Sequence, residues 1–148
     1  MKLPEVLLVE DNDGDIYLIL EVLSENKIEA QMRLVKNGLE ALDYLFCKGK
    51  FESASKPDLI LLDMNIPVYS GLEVLSEIKE SDELKNIPVV MFSTSEYHED
   101  IKKAYQRHCN SYIVKPSQVE IFQDLILKTL DYWLQLSTLS TLNKADEY

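Results

Sequence analysis

Only two cysteines, Cys47 and Cys109, occur in 148 residues, far apart and in no CxxC or Cys/His spacing. That excludes a disulfide framework and a thiolate zinc site, and fits free thiols in a reducing compartment. Long apolar runs are missing as well. Residues 6–9, 59–62 and 89–92 are uninterrupted but only four long, whereas a membrane-spanning helix needs about 20. Positive charge is scarce, with 15 Lys and Arg against 26 Asp and Glu, a net charge of −11 and no basic cluster to offset it. A nucleic-acid backbone is therefore a poor partner. The first five residues lead straight into a strand-like run, without an apolar segment and small-residue cleavage site, so secretion by that route is not expected and a cytoplasmic location is. With 46% hydrophobic and 28% charged residues, the composition is that of one folded globular domain.

Short apolar runs alternate with amphipathic stretches, and no repeat or low-complexity tract interrupts them. This rhythm indicates βα units around a parallel sheet. Strands are expected over residues 5–9, 31–35, 58–62, 89–92 and 111–114, several continuously apolar, as strands covered on both faces must be. Helices are expected over 14–24, 38–46, 70–79, 96–108 and 118–136. The first carries Ile16, Ile19, Leu20 and Leu23 at helical spacing, with Asn12 or Asp13 available as its cap. Residues 47–57, with Gly49 and Pro57, read as a long surface connection. Five such units make a small doubly wound α/β fold.

In an open parallel sheet, functional groups gather outside the carboxyl ends of the strands. The first run ends in Glu10-Asp11, the third in Asp63-Met64-Asn65, the fourth in Ser93-Thr94-Ser95 and the fifth in Lys115-Pro116. Three carboxylates at one rim repel one another unless a cation lies between them. Mg²⁺ answers this, since it takes hard oxygen ligands and keeps several waters. Asp11 and Asp63 are the expected direct ligands, Glu10 binds directly or through water, and the Asn65 carbonyl completes the set. Helix capping alone would explain Glu10-Asp11, but not beside Asp63. A rigidly held Asp63 is also a nucleophile toward phosphorus, with the Lys115 ammonium and the Ser93 hydroxyl placed to meet the transferring oxygens. His98 and His108 have no partners at ligand spacing and are assigned to solvated helix positions.

These residues resemble the receiver domains of two-component response regulators over about residues 2–136. The matching motifs are Glu10-Asp11, Asp63-Met64-Asn65-Ile66-Pro67 followed by Gly71, Ser93 after residues 89–92, and residues 112–116 ending in Lys115-Pro116. The resemblance implies a flavodoxin-like five-stranded parallel sheet in the order 2-1-3-4-5 with five helices. It implies Asp63 as phosphoacceptor, Mg²⁺ on Glu10, Asp11, Asp63 and Asn65, and phosphoryl contact from Ser93 and Lys115. It further implies a switch formed by Ser93 and Tyr112, and a cis Lys115–Pro116 bond. Residues 7–15, the loop 46–57 and residues 83–88 look like single-domain regulators paired with cyanobacterial and other bacterial phytochromes. Ser93 and Thr94 stand where threonine and alanine are commoner.

Two other classes compete with this reading. A haloacid-dehalogenase-type phosphatase needs a second aspartate two residues after the first, where this chain has Asn65, and also a cap or a longer chain. A receiver-like module that never takes phosphate should have lost Asp63, Lys115 or the acidic pair, all of which are present. The chain therefore reads as a phosphoacceptor signalling protein rather than an enzyme, with a receiver over 1–136, a tail over 137–148 and no output domain. Its signal is expected to leave by protein contact, with a histidine kinase, in particular a phytochrome, as phosphodonor. The last helix carries two apolar lines, Phe122, Ile126 and Trp133 against Leu127, Leu130 and Leu134. A sheet-packing stripe accounts for one of them. The second is expected to form a homodimer through the fourth helix, fifth strand and fifth helix, unless the segment around Leu139 and Leu142 folds back over it.

Overall fold

The computed structural model describes residues 2–140. Its strands are β1 (Glu5–Val9), β2 (Gln31–Val35), β3 (Leu59–Asp63), β4 (Val89–Ser93) and β5 (Ser111–Val114). Its helices are α1 (Asp13–Glu25), α2 (Gly38–Leu45), α3 (Gly71–Glu80), α4 (His98–Gln106) and α5 (Val119–Asp131). Every strand pair is parallel, and the order is β2-β1-β3-β4-β5. This is the doubly wound flavodoxin-like arrangement expected from the sequence. β3 and β4 each run one residue further than the apolar pattern suggests, so that Asp63 and Ser93 are the last residues of their strands.

Side chains along a strand alternate between its two faces, and the inner strands divide accordingly. Leu7, Val9, Ile60, Leu62, Val89 and Met91 pack with Ala41, Tyr44 and Leu45 of α2 and with Val74, Leu75 and Ile78 of α3. Val6, Leu8, Leu59, Leu61, Val90 and Phe92 pack on the other face with Ile19, Val22 and Leu23 of α1 and with Phe122, Ile126 and Leu130 of α5. β2 lies at an edge, with Val35 its one buried residue. In α1 the buried set includes Val22 in place of Leu20, which is exposed. Asn12 is the cap, its side-chain oxygen accepting from the Asp15 N–H at 2.9 Å. The connection over 47–57 holds one 3₁₀ turn, Gly49–Phe51.

At the base of the sheet the buried Glu5 carboxylate accepts from Tyr44 Oη at 2.6 Å, Ser55 Oγ at 2.5 Å and Arg33 Nε at 3.3 Å. Asp58 Oδ2 accepts from the Glu5 N–H at 2.8 Å. These bonds tie α2 and the long connection to β1. Burial first, and then Glu5, push the Tyr44 hydroxyl well above the usual tyrosine range.

The two apolar lines of α5 do not separate as the sequence pattern suggests. Leu130 is buried in the core, and Leu127, Trp133 and Leu134 pack at the border of that same cluster. Leu130 follows Phe122 by eight residues and Ile126 by four, so regular α spacing sets it on the same sheet-facing stripe. Only beyond Asp131 does the helix widen into a π-type turn over Tyr132–Leu136, closed by Ser137 N–H to the Tyr132 carbonyl at 2.8 Å. Such a turn holds more residues than an α turn and shifts the phase of the stripe. The leucine set 127, 130 and 134 is thus core or half-buried and not an open patch. Leu139 is buried, as the fold-back alternative requires; Leu142 lies outside the described residues. The described peptide bonds, Lys115–Pro116 included, are all trans, in contrast to the expected cis bond.

Among the described residues, four that are not glycine adopt left-handed backbone: Lys27 (φ 53°), Cys47 (φ 55°), His108 (φ 68°) and Val68 (φ 72°). The first three follow the ends of α1, α2 and α4, the position where glycine is usual. A β-branched residue suffers most there. Val68→Gly is expected to stabilise the fold by about 1 kcal/mol or somewhat more, and Lys27→Gly and His108→Gly by less. Urea midpoints check this, and a lower midpoint for Val68→Gly would contradict it.

Candidate functional site

The carboxyl ends of β1, β3, β4 and β5 bring the expected residues to one rim. Asp63 is set rigidly, because Gly71 at the start of α3 lies directly against its backbone. A Cβ on Gly71 would overlap the Asp63 carbonyl oxygen and Met64 Cα. The Gly71 N–H donates to the Met64 carbonyl at 2.9 Å, and the Met64 N–H donates to the Phe92 carbonyl at 3.0 Å. The loop between β3 and α3 is held from the other side by the Gly38 N–H on the Pro67 carbonyl at 3.0 Å.

Carboxylate oxygens of Glu10, Asp11 and Asp63 lie within 4.8 Å of one another. Glu10 and Asp63 are buried, and Asp11 opens to solvent. Asp63 Oδ1 accepts from the Asn65 N–H at 2.9 Å. Glu10 Oε2 accepts from the Asp11 N–H at 3.1 Å. The Lys115 ammonium sits among the acids, 2.6 Å from Glu10 Oε1, 2.7 Å from Asp63 Oδ2 and 2.9 Å from Asp15 Oδ2. Burial lowers the affinity of Lys115 for its proton, but Asp63, Glu10 and Asp15 outweigh that and hold it above the usual lysine range. A compact set of hard oxygen donors, with one member open to solvent, suits a hydrated divalent cation. Asn65 joins the cluster through its N–H.

Ser93 is buried, and its hydroxyl accepts from the Ser95 N–H at 3.0 Å. The Tyr112 hydroxyl donates to the Ser95 carbonyl at 3.0 Å. Ser95 Oγ donates to Asp100 Oδ2 in α4 at 2.5 Å. Ser95 therefore joins Ser93, Tyr112 and α4, a role its sequence does not announce. A polar residue at a strand end does not point to Asp15, which is the third residue of α1. Its signal was present only as an acid in the first turn of a helix facing the rim. His98 and His108 are exposed and remain outside the site; His108 follows α4 rather than lying in it.

Burial, and then the adjoining Asp63, push the Glu10 carboxyl up to about 8, despite the opposing pull of Lys115. In the metal-free protein, folded Glu10 retains a proton that the unfolded chain releases near pH 4.5. Its contribution to stability is full below that value and is lost as pH rises through about 8. In excess chelator the urea midpoint is expected to fall across this window, and Glu10→Gln is expected to flatten the fall. A midpoint unaffected by Glu10→Gln at every pH would refute the assignment.

Similarity to known proteins agrees with this geometry. The profile of the response regulator receiver domain matches residues 6–127. Response regulator Rcp1 of Synechocystis is 37% identical over 134 residues, 90% of this chain and 91% of that protein. The phosphorylated cyanobacterial phytochrome response regulator RcpA superposes with a TM-score of 0.91 at 41% identity, over 95% of this chain and 100% of the other. The Mn²⁺-bound form of Rcp1 gives 0.90 at 36% identity, over 93% and 99% of the two chains. Sequence, topology and the acid-lined rim around Asp63 thus agree, and the chain belongs to the response regulator receiver family, in the neighbourhood of its phytochrome-associated members.

Proposed function

We propose that this protein takes a phosphoryl group onto Asp63 from the phosphohistidine of a histidine kinase of the phytochrome type. In that reading Glu10, Asp11, Asp63 and the Asn65 carbonyl hold Mg²⁺, and the phosphorylated state is read by protein contact. The observation that carries it is the buried Lys115 ammonium shared between Asp63 and Glu10, two of three clustered carboxylates. The phytochrome pairing is supported by the similarity to RcpA and Rcp1. Residues 1–136 form the receiver unit and 137–148 its tail. Such a donor places the protein in the cytoplasm. No helix among the described residues is long and apolar enough to cross a membrane.

The transfer breaks the phosphorus–nitrogen bond of the donor and forms a phosphorus–oxygen bond to Asp63, the imidazole leaving with the electron pair. Hydrolysis later returns the carboxylate and inorganic phosphate. Lys115 neutralises the transferring oxygens, and a cation held by Glu10, Asp11, Asp63 and the Asn65 carbonyl would supply the further positive charge that an anionic acceptor requires. Ser93 gives up its bond from the Ser95 N–H as its hydroxyl turns to the phosphoryl group. Ser95 then shifts, releasing the Tyr112 hydroxyl and the first turn of α4. A homodimer over α4, β5 and α5 belongs to the same proposal. Its apolar contacts would come from the exposed Tyr105, Val119 and Ile121 of α4 and α5, not from the leucines.

Phosphotransfer from a panel of purified histidine kinases tests the reading. A phytochrome-type kinase is expected to label the protein fastest, and Ser93→Ala is expected to be labelled while losing the phosphorylation-dependent change in self-association. Preferential labelling by an unrelated kinase would overturn the pairing. A Ser93→Ala protein that still responds would overturn the switch.

A further inference from the structure

We infer that Asp15 is a positioning residue for Lys115, the partner that keeps the ammonium satisfied when a divalent cation occupies the other carboxylates; this rests on the Mg²⁺ site proposed above. An ammonium has three protons to donate. Here each goes to a different carboxylate, on Glu10, Asp63 and Asp15. The Lys115 side chain is only 8% exposed, so bulk water offers little replacement for a lost partner. Glu10 and Asp63 are also the buried members of the acidic cluster, and a cation bound there competes with Lys115 for their oxygens. Asp15 is outside that cluster and, at 28% exposure, holds the ammonium from the solvent side.

Without Asp15, cation binding would leave a buried ammonium beside a divalent ion with no remaining carboxylate of its own, an arrangement that is strongly disfavoured. The same tie keeps the lysine stem in place as one proton turns to an incoming phosphoryl oxygen. Asp15 is the third residue of α1, where an acid also favours the helix dipole. That structural role predicts a change in folding stability but no change in cation affinity that depends on Lys115.

The experiment is Mg²⁺ titration by calorimetry of the unaltered protein, Asp15→Asn, Lys115→Met and the double variant, each with its thermal midpoint. Asp15→Asn is expected to weaken Mg²⁺ binding about tenfold, within the range for losing an outer partner that orients a ligand set. In the Lys115→Met background the same change is expected to cost no more than about twofold, as for a screened surface charge. Equal losses in the two backgrounds overturn the inference. If Lys115→Met does not fold, salt decides the matter. A contact-based loss persists in high KCl, whereas a through-space charge effect that shrinks toward nothing overturns the inference. Asp15→Glu is expected to restore much of the affinity. An unaltered protein that binds no Mg²⁺ overturns the metal reading and this inference with it, whereas binding with equal losses overturns this inference alone.

Discussion

Asp63→Asn is expected to take up no phosphoryl group from any donor, while folding as well as the unaltered protein. The amide keeps an oxygen that can accept the Asn65 N–H now bound to Oδ1, so the end of β3 retains its geometry. What is lost is the anionic nucleophile and one of the three carboxylates around Lys115. The neighbouring acids do not replace it. Glu10 Oε1 is engaged by Lys115 and Glu10 Oε2 accepts the Asp11 N–H, so neither oxygen of that buried carboxyl is free to attack phosphorus. Asp11 opens to solvent at the rim. Intact-mass measurement after incubation with an acyl phosphate and Mg²⁺ checks this. Incorporation into Asp63→Asn at the unaltered rate would identify another acceptor, and full incorporation by the unaltered protein in excess chelator would remove the cation from the reaction.

The second large effect concerns α5. Leu130 is buried among Phe122, Ile126 and the residues of β1, β3 and β4 that face them. Leu130→Ala is expected to destabilise the fold by about 2–5 kcal/mol, because the lost contacts leave a cavity in a packed core. Ile121→Ala, nine positions earlier on the same helix and 48% exposed, is expected to change stability by no more than about 0.5 kcal/mol. Urea midpoints of the two variants separate the core stripe from the open face. Similar midpoints would mean that the leucine line is not core.

The sheet was legible because three inner strands are buried on both faces and alternate cleanly, so every residue from 59 to 62 had to be apolar. The site was legible where a polar residue ended such a run, as Glu10, Asp63, Ser93 and Lys115 do. Asp15 and Ser95 were not, since an acid in a first helical turn or a serine in a loop fits many surroundings, and only the approach of distant strands gives them partners. α5 misled for a different reason. Leu130 lies on the same 3.6-residue period as Phe122 and Ile126, which a division into two lines ignores, and the turn from Tyr132 to Leu136 holds more residues than an α turn, so a fixed period does not carry across it. Likewise, the left-handed backbone at Val68 carries no sequence signal, since valine is among the residues least suited to it.

The anions of the site end the inner strands β1 and β3, whereas its ammonium follows β5, which is hydrogen-bonded on one side only and half-buried along its four residues. The ion pairs of Lys115 with Glu10 and Asp63 therefore act as a buckle between the centre of the sheet and its β5 edge. Edge strands open locally at lower free energy than central ones, so the amides of Ser111–Val114 should exchange with deuterium sooner than those of β3. The charge on Asp63 sets the tightness of that buckle, so the exchange rate of the β5 amides becomes a readout of the chemistry at the rim.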